Sequence, residues 1–340
     1  MPELRQNPIT KDWVIFATER AKRPHEFIKT SRHTEKIPTY KSDCPFCPGN
    51  EDDLSLETFC LRAGDGWRVR VVPNKYPALS AIGDRTRKVE GIHRIISGVG
   101  FHEVIVEHPR HDLTPALMTI ADVQNILIAY RQRYIEIRKD PRIEAIIIFK
   151  NHGESAGTSI EHPHSQIAAI PVVPYQFRVR IDEAIRYFDD TGECIFCRNL
   201  QDELDTQERI VLESKHFVAF IPYAALSPFH LWIYPRRHAS SFDDTTDAEL
   251  ADLAFTLKTV LAKLYHGLNN PDYNFTIRSI PTDETYTDYF HWYLAIVPRV
   301  SKSAGFEIGS GMYINTSMPE DSAKFLRDVE IPNEQFGYDE

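Results

Sequence analysis

Two histidines and a glutamine stand at alternate positions in the segment 161–166, Glu-His-Pro-His-Ser-Gln, which leads into the apolar stretch 167–173. Side chains of an extended strand alternate between its two faces, so His162, His164 and Gln166 are expected to point to one side. A line of imidazole, imidazole and amide suits metal binding, nucleophilic attack or phosphate contact. For the histidine pair taken alone, the alternative is a strand edge with two solvated histidines.

The five cysteines carry a second signal. Four of them form two Cys-x-x-Cys pairs, Cys44 with Cys47 and Cys194 with Cys197, and Cys60 stands alone. In a chain of this size such pairs indicate metal binding or thiol redox chemistry rather than a disulfide framework. Neither pair lies where a strand plainly leads into a helix, as a thioredoxin-like site requires. The cysteines therefore favour zinc, with Cys60 as a small buried apolar side chain.

Length and composition set the outer limits. A chain of 340 residues with 42% hydrophobic residues is expected to form roughly two globular domains. The net charge of −10 argues against nucleic acid and anionic membranes as partners, although a local basic pocket for a small anion is compatible with it. There is no apolar run of about 18 residues, and the first residues lack an apolar signal core, so a cytoplasmic protein is expected.

The elements that must position these residues occur twice. A helix with a capping-box start at Thr119 is predicted from apolar residues three to four apart, namely Val123, Ile126, Leu127, Tyr130, Tyr134 and Ile137. Strands surround it, and the same order of knuckle, strand, helix and strand returns in the second half. His111 and His238 are 127 residues apart, and so are Pro171 and Pro298.

This repetition predicts an internal duplication. The expected fold class is α+β, with two tandem units that each consist of an antiparallel sheet packed with one long helix. The boundary is placed between residues 175 and 176. The N-terminal domain, 1–175, then carries the histidine motif and a first zinc site, and the C-terminal domain, 176–340, carries a second.

A closed structural zinc site takes four nitrogen or sulfur ligands. The set expected in the first half consists of two thiols from the knuckle and two imidazoles, Cys44, Cys47, His111 and His162. His108 could replace His111, but the 127-residue spacing favours His111, whose counterpart is His238.

The corresponding set in the second half is Cys194, Cys197, His238 and His291. Here the spacing of 127 residues places His291 opposite His164, with Tyr289 in the position of His162. Either a shift of one or two residues lets His291 bind zinc, or that site is completed in another way. His291 is favoured because it is the only histidine on that strand.

If His162 binds a metal, His164 is left as a neutral imidazole able to act as nucleophile or base. Gly153 and Gly157 would let a ligand approach the backbone closely. Arg20 and Arg23 follow a core strand and offer guanidinium groups that fit phosphate. Each of these residues taken singly is equally compatible with an ordinary solvated loop.

The histidine segment, together with the Asn-x-Gly loop that begins at Asn151, resembles the His-x-His-x-Gln motif of the transferase branch of the histidine-triad superfamily. The whole chain resembles the galactose-1-phosphate uridylyltransferase family almost from end to end. Further matching segments are 20–24, 44–47, Asn74, 109–111, 235–238 and 305–309.

The resemblance implies a ping-pong transfer of UMP between UDP-glucose and galactose 1-phosphate through a covalent uridylyl group on His164. Gln166 would bond a non-bridging phosphoryl oxygen. The residues implied to contact substrate are Arg20, Arg23, Asn74, Asn151, Ser159 and Glu307. The resemblance also implies that the two tandem units are histidine-triad-like, and it implies two zinc sites and a homodimer.

Other functions remain open at this level. The segment 306–311 and the form of 291–293 are also similar to plant ADP-glucose phosphorylases, which transfer an adenylyl group. A dinucleoside-polyphosphate hydrolase is a third possibility. In the last alternative the protein is a non-catalytic, zinc-stabilised binding module and the histidines are structural.

Overall fold

The computed structural model describes residues 1–17, 24–28, 37–51, 56–284 and 287–332. Its strands are β1 Glu3–Gln6, β2 Trp13–Phe16, β3 Phe59–Ala63, β4 Gly66–Pro73, β5 Arg87–Glu90, β6 His93–Ile96, β7 Phe101–Val106, β8 Ala145–His152, β9 His164–Ile170, β10 Ile210–Glu213, β11 Phe217–Phe220, β12 Leu231–Pro235, β13 Tyr273–Arg278, β14 Tyr293–Pro298 and β15 Tyr313–Asn315. Its helices are α1 Ile120–Arg138, α2 Tyr175–Thr191, α3 Ile195–Thr206, α4 Asp247–Gly267, α5 Gly305–Ser310 and α6 Pro319–Asp328.

Ten of the strands form one antiparallel sheet in the order β10-β11-β12-β14-β13-β8-β9-β7-β4-β3. The five strands of each half are contiguous, and the halves meet where β8 pairs with β13, with Phe149 opposite Thr276. The predicted α+β class with two antiparallel units is confirmed. The sequence did not predict that the two sheets join edge to edge. This joining pairs β8 with β13, so neither strand is left as an unpaired sheet edge.

The long helices α1 and α4 lie on the same face of this sheet. Each begins at a threonine whose side chain accepts the backbone N–H three residues on, Thr119 for α1 and Thr246 for α4, and both form capping boxes. Apolar side chains of both helices share one buried core with the inward residues of the strands, including Leu127 and Leu257. The capping-box start predicted at Thr119 is confirmed.

The other face of the sheet is the one that matters for chemistry. In β9, Ser165 bonds Tyr130 of α1 and Ile167 lies in the helix-side core, so the alternate residues His164 and Gln166 face away from the helices. In the C-terminal half α2 and α3 cover that face, where Ile181 and Phe196 share a buried cluster with Tyr293.

Smaller elements complete the chain. β1, β2 and β15 form a three-stranded sheet in which β15 runs parallel to β2, and β5 and β6 form a hairpin. No helix in the described ranges is both long and apolar enough to cross a membrane. We propose the division between residues 175 and 176, at the start of α2.

Leu257→Ala is expected to lower the free energy of unfolding by about 2–5 kcal/mol, because it leaves a cavity in the shared helix–sheet core. Leu257 is 2% exposed. Leu257→Met is the matched control and should cost less than about 1.5 kcal/mol, since it conserves volume. Denaturant unfolding measures both. Equal effects of the two variants would contradict tight packing of α4.

Candidate functional site

The fold brings the first predicted cysteine–histidine set together. Cys44, Cys47, His111 and His162 are all buried, and their ligand atoms lie within 4.8 Å of one another. Cys47 Sγ lies 3.5 Å from His111 Nδ1 and 3.6 Å from His162 Nδ1. Residues from a loop, from the segment after β7 and from the segment before β9 therefore converge on one point.

The turn that carries the two thiols has its own supports. The backbone N–H of Lys41 donates to Cys47 Sγ at 3.3 Å, and the side-chain amide of Asn50 donates to the carbonyls of Lys41 and Cys44. Gly49 closes the turn with a φ of 89°, which favours glycine. The Cys-Pro-Phe-Cys-Pro-Gly sequence thus forms the knuckle that its residue types indicate.

The donor atoms of this cluster fit a metal ion. His162 Nε2 donates to the carbonyl of His108 at 2.7 Å, so the lone pair of its Nδ1 points inward, 3.2 Å from His111 Nδ1. Burial lowers the pKa of His162 to about 4 and raises the pKa of Cys44. A neutral imidazole is the ligand form, and a cation between the donor atoms would favour thiolates. Four enclosed nitrogen and sulfur donors are the ligand set of structural zinc.

The second cluster is built in the same way but is less enclosed. Cys194, Cys197 and His238 have ligand atoms within 4.8 Å of one another. Cys197 Sγ lies 3.2 Å from His238 Nδ1 and 3.3 Å from His291 Nδ1. A hydrogen bond with Cys197, and a further one with His238, lowers the pKa of Cys194 to about 5. The prediction of two clusters able to bind zinc is confirmed.

The position of His291 resolves the conflict in spacing. His164 is the first residue of β9 and Tyr293 is the first residue of β14, so His162 and His291 each stand two residues before their strand. The second half is thus shifted by two residues here, which brings His291 to the cluster and leaves Tyr293 in the place of His164. The second knuckle also differs locally, because Cys194 is the N-cap of α3.

His164 is held next to the first cluster without joining it. Its Nδ1 donates to the backbone carbonyl of His162 at 2.8 Å, so in the neutral ring the lone pair is on Nε2. The ring is 9% exposed, and burial lowers the pKa of His164. Phe46 packs against the rings of both His162 and His164, at centroid distances of 6.0 and 5.4 Å.

Gln166 is hydrogen bonded at its carbonyl end. Its Oε1 lies 2.7 Å from Nε2 of His102 and 3.4 Å from Nδ2 of Asn74. Asn74, which the family resemblance implies as a substrate contact, thus contacts Gln166. His102 was not singled out from the sequence. Its place on β7 was the available signal, because alternate residues of a strand share one face.

A buried ion pair supports the backbone behind His164. Lys150 Nζ donates to Glu107 Oε2 at 2.6 Å and to the carbonyl of His164 at 2.9 Å. Tyr130 bridges Glu107 and Ser165 from the helix side. Removing one partner of such a pair leaves a buried charge and costs about 3–5 kcal/mol. Sequence reasoning missed this support because Lys150 follows the apolar residues 145–149, which by themselves indicated the strand.

The C-terminal half supports the loop that follows β8. Asn151 is two residues beyond Phe149, which pairs with Gln166, so Asn151 lies across from His164 on the same face. Asn274 donates to Asn151 Oδ1 at 2.7 Å and to the carbonyl of Ala156 at 2.9 Å. A Cβ at Gly153 would meet Asp272 Oδ1 at 2.0 Å, so glycine is required there.

Two further predicted contacts, Ser159 and Glu307, lie in parts of the chain that the structure describes. Ser159 is exposed in the loop before β9. Glu307 is half-buried on α5, and its carboxylate accepts the backbone N–H of Ala304 at 2.8 Å, so it caps its own helix. Within the described ranges no hydrogen bond or ion pair joins Glu307 to β8 or β9. Arg20 and Arg23 lie outside the described residues.

Comparison with known proteins agrees with this geometry. A family model described as the N-terminal domain of galactose-1-phosphate uridyl transferase matches residues 1–174, and the C-terminal domain model matches residues 180–327. These matches define the class of the protein, which is a nucleotidyltransferase. The chain belongs to the galactose-1-phosphate uridyl transferase family, which confirms the resemblance seen in the sequence.

Individual relatives differ in their named activity. The chain is 41% identical to an ADP-glucose phosphorylase from Arabidopsis thaliana over 335 residues, or 97% of this chain and 93% of that one. It is 28% identical to a galactose-1-phosphate uridylyltransferase from Thermotoga maritima over 344 residues, or 97% and 99% of the two chains.

Similar solved structures include proteins with both of these named activities. The crystal structure of the Arabidopsis thaliana ADP-glucose phosphorylase with bound ADP-glucose matches with a TM-score of 0.83 and 38% identity, covering 98% of this chain and all of that one. A uridylyltransferase structure matches with a TM-score of 0.75 and 28% identity, covering 96% and 97%.

We expect two zinc ions per chain in the purified protein and one in either Cys44→Ser or Cys194→Ser, because each change removes a ligand from one cluster. Both variants should also melt at lower temperature. Cys60→Ser is the matched control, since Cys60 is in neither cluster. Metal analysis with thermal melting measures this. Loss of zinc from Cys60→Ser, or none from Cys44→Ser, would contradict the assignment.

Proposed function

We propose that the protein transfers a nucleotidyl group from a nucleoside diphosphate glucose to a phosphate acceptor, with His164 as the nucleophile. The observation that carries the proposal is the 2.8 Å hydrogen bond from His164 Nδ1 to the carbonyl of His162. It gives the ring a defined tautomer with a free electron pair on Nε2, and Gln166 lies on the same face two residues away.

In the proposed first step, His164 Nε2 forms a bond to the α-phosphorus of the donor. The bond from that phosphorus to the bridging oxygen breaks, and glucose 1-phosphate leaves with the electron pair. An oxygen of the acceptor phosphate then attacks the same phosphorus, and the nitrogen–phosphorus bond breaks to regenerate the imidazole. Nδ1 keeps its proton throughout. The imidazole is cationic while it carries the nucleotidyl group, so the His162 carbonyl stabilises it.

Charge on the phosphoryl oxygens must be met by donors. We propose that the amide groups of Gln166 and Asn151, which flank His164, supply them. From the family resemblance we add Arg20, Arg23, Asn74 and Ser159 as contacts to nucleotide or phosphate, Glu307 as a contact to the sugar, and a homodimeric assembly. Zinc, when bound, supplies rigidity to the backbone beside His164 and takes no part in the transfer.

ADP-glucose is the donor that we propose, with phosphate or a hexose 1-phosphate as acceptor. Support comes from the 41% identity to a plant ADP-glucose phosphorylase over nearly the full length of both chains. Transfer of UMP between UDP-glucose and galactose 1-phosphate, the leading expectation from the sequence, is the second candidate. It is favoured by the family models and by the 28% identity to a uridylyltransferase over 97% of this chain.

Incubation with ADP-glucose labelled in its α-phosphate should leave close to one label per chain, while labelled UDP-glucose should leave much less. The label should be acid-labile and base-stable, as a nitrogen–phosphorus bond is, and an added acceptor should remove it. Label from UDP-glucose alone would establish the second candidate. Release of nucleotide with no label from either donor would point to direct hydrolysis and contradict the covalent route.

His164→Ala and His164→Gly should form no adduct and lose turnover by about 10³-fold or more, since the nucleophile is absent. Their zinc content should equal that of the parent. His93→Ala is the control because His93 is exposed on β6. Near-parent turnover in His164→Ala would contradict the assignment of His164 as nucleophile. A parent protein that binds ligand without turnover, with the same affinity in His164→Ala, would indicate a binding module.

A further inference from the structure

We propose that His102 is a positioning residue, which holds the side-chain amide of Gln166 with its NH2 group directed toward the transferred phosphoryl group. The inference rests on the proposed function, because it concerns the orientation of a donor in that reaction. His102 itself contacts no substrate in this account. It acts through Gln166 alone, and it belongs to a different strand, β7.

The orientation follows from a donor whose identity is fixed. The backbone N–H of Ala78 donates to His102 Nδ1 at 3.1 Å. In a neutral imidazole only one nitrogen carries a proton, so the proton of His102 is on Nε2. That N–H must donate, and the Gln166 atom 2.7 Å away must therefore be the carbonyl oxygen. The backbone N–H of Ala78 thus determines, through His102, that the oxygen of the Gln166 amide and not its nitrogen faces His102.

Asn74 adds a second donor at the same end. The backbone N–H of Tyr76 donates to Asn74 Oδ1 at 2.9 Å, so the other end of the Asn74 amide is the NH2 group. That group lies 3.3 Å from His102 Nε2 and 3.4 Å from Gln166 Oε1. Because His102 Nε2 carries a proton and cannot accept, the NH2 group donates to Gln166 Oε1, and two donors from different segments converge on one oxygen. The described residues accept no hydrogen bond from Gln166 Nε2, which leaves both of its N–H groups available for a ligand.

The sheet explains why His102 can reach. Val104 pairs with Gln166 and His102 pairs with Ala168, so His102 and Gln166 are diagonal neighbours on the same face of β7 and β9. Without the donor from His102, the Gln166 amide could rotate by about 180° and exchange the positions of its oxygen and its NH2 group. It would then present its oxygen to an anionic phosphoryl oxygen, replacing an attraction with a repulsion. Protein donors aimed at developing charge contribute about 10²–10³ in rate.

His102 can be replaced without steric clash. His102, Asn74 and Ala78 border a cavity of about 640 Å³, so a side chain of another shape fits without overpacking. His102→Leu removes the donor and keeps an apolar bulk. His102→Gln can place an amide N–H near the position of Nε2 and is the conservative rescue. Both are made in the full-length, zinc-loaded protein, each with Gln166 present and with Gln166→Ala.

The measured quantities are the single-turnover rate of adduct formation from ADP-glucose, the ADP-glucose concentration at half-saturation and the melting temperature. We expect His102→Leu to slow adduct formation about 10- to 100-fold with less than about a threefold change in ADP-glucose half-saturation. His102→Gln should recover most of the rate. In the Gln166→Ala background, His102→Leu should change the rate less than about twofold, because its effect passes through Gln166.

Three results would overturn the proposal. They are a parent-like rate in His102→Leu, an equal loss in the Gln166→Ala background, and a rate loss that simply follows a fall in melting temperature in both His102 variants. Failure of the proposed function is visible separately, as a parent protein that forms no adduct. That result would also remove the reaction in which His102 is placed, whereas a parent protein that forms the adduct lets the variants test His102 alone.

Discussion

The hydrogen bond from His164 to the carbonyl of His162 is the interaction on which the rest of the site depends. It fixes the tautomer and direction of a buried imidazole at the start of β9. The carbonyl is itself fixed, because the His162 ring lies in the cysteine–histidine cluster and Lys150 bonds the carbonyl of His164, two residues along. In the proposed reaction the cluster thus acts through backbone geometry, by immobilising the residue that orients the nucleophile.

The continuous sheet gives the C-terminal half a part in a site whose proposed nucleophile belongs to the N-terminal half. Since β8 pairs with β13, Asn274 lies beside Asn151 and bonds its carbonyl end. Arg299 in turn donates to Asn274, so the order of donors and acceptors across the seam is fixed. An arrangement of separate domains joined by a linker would leave this amide unsupported, whereas paired strands hold it to the register of the sheet.

The two halves have kept the same metal-binding frame and differ in what stands next to it. His162 and His291 both precede their strand by two residues, but the first strand residue is His164 in one half and Tyr293 in the other. Tyr293 is 1% exposed beneath α2 and α3, and these helices cover the counterpart of the sheet face that carries His164 in the first half. In the proposed function, the duplication therefore provides one reactive imidazole and a second, structural copy of its support.

The sequence by itself determined the local features. Residue types and spacing specified the two knuckles, the capped helix at Thr119, the duplication and the alternation of His164 with Gln166, because each depends on neighbours along the chain. Only the tertiary structure decided what meets across strands. It placed His102 against Gln166, shifted the second half by two residues so that His291 meets Cys197, and merged two sheets into one. Register between distant strands is set by the packing of whole faces, which no local pattern contains.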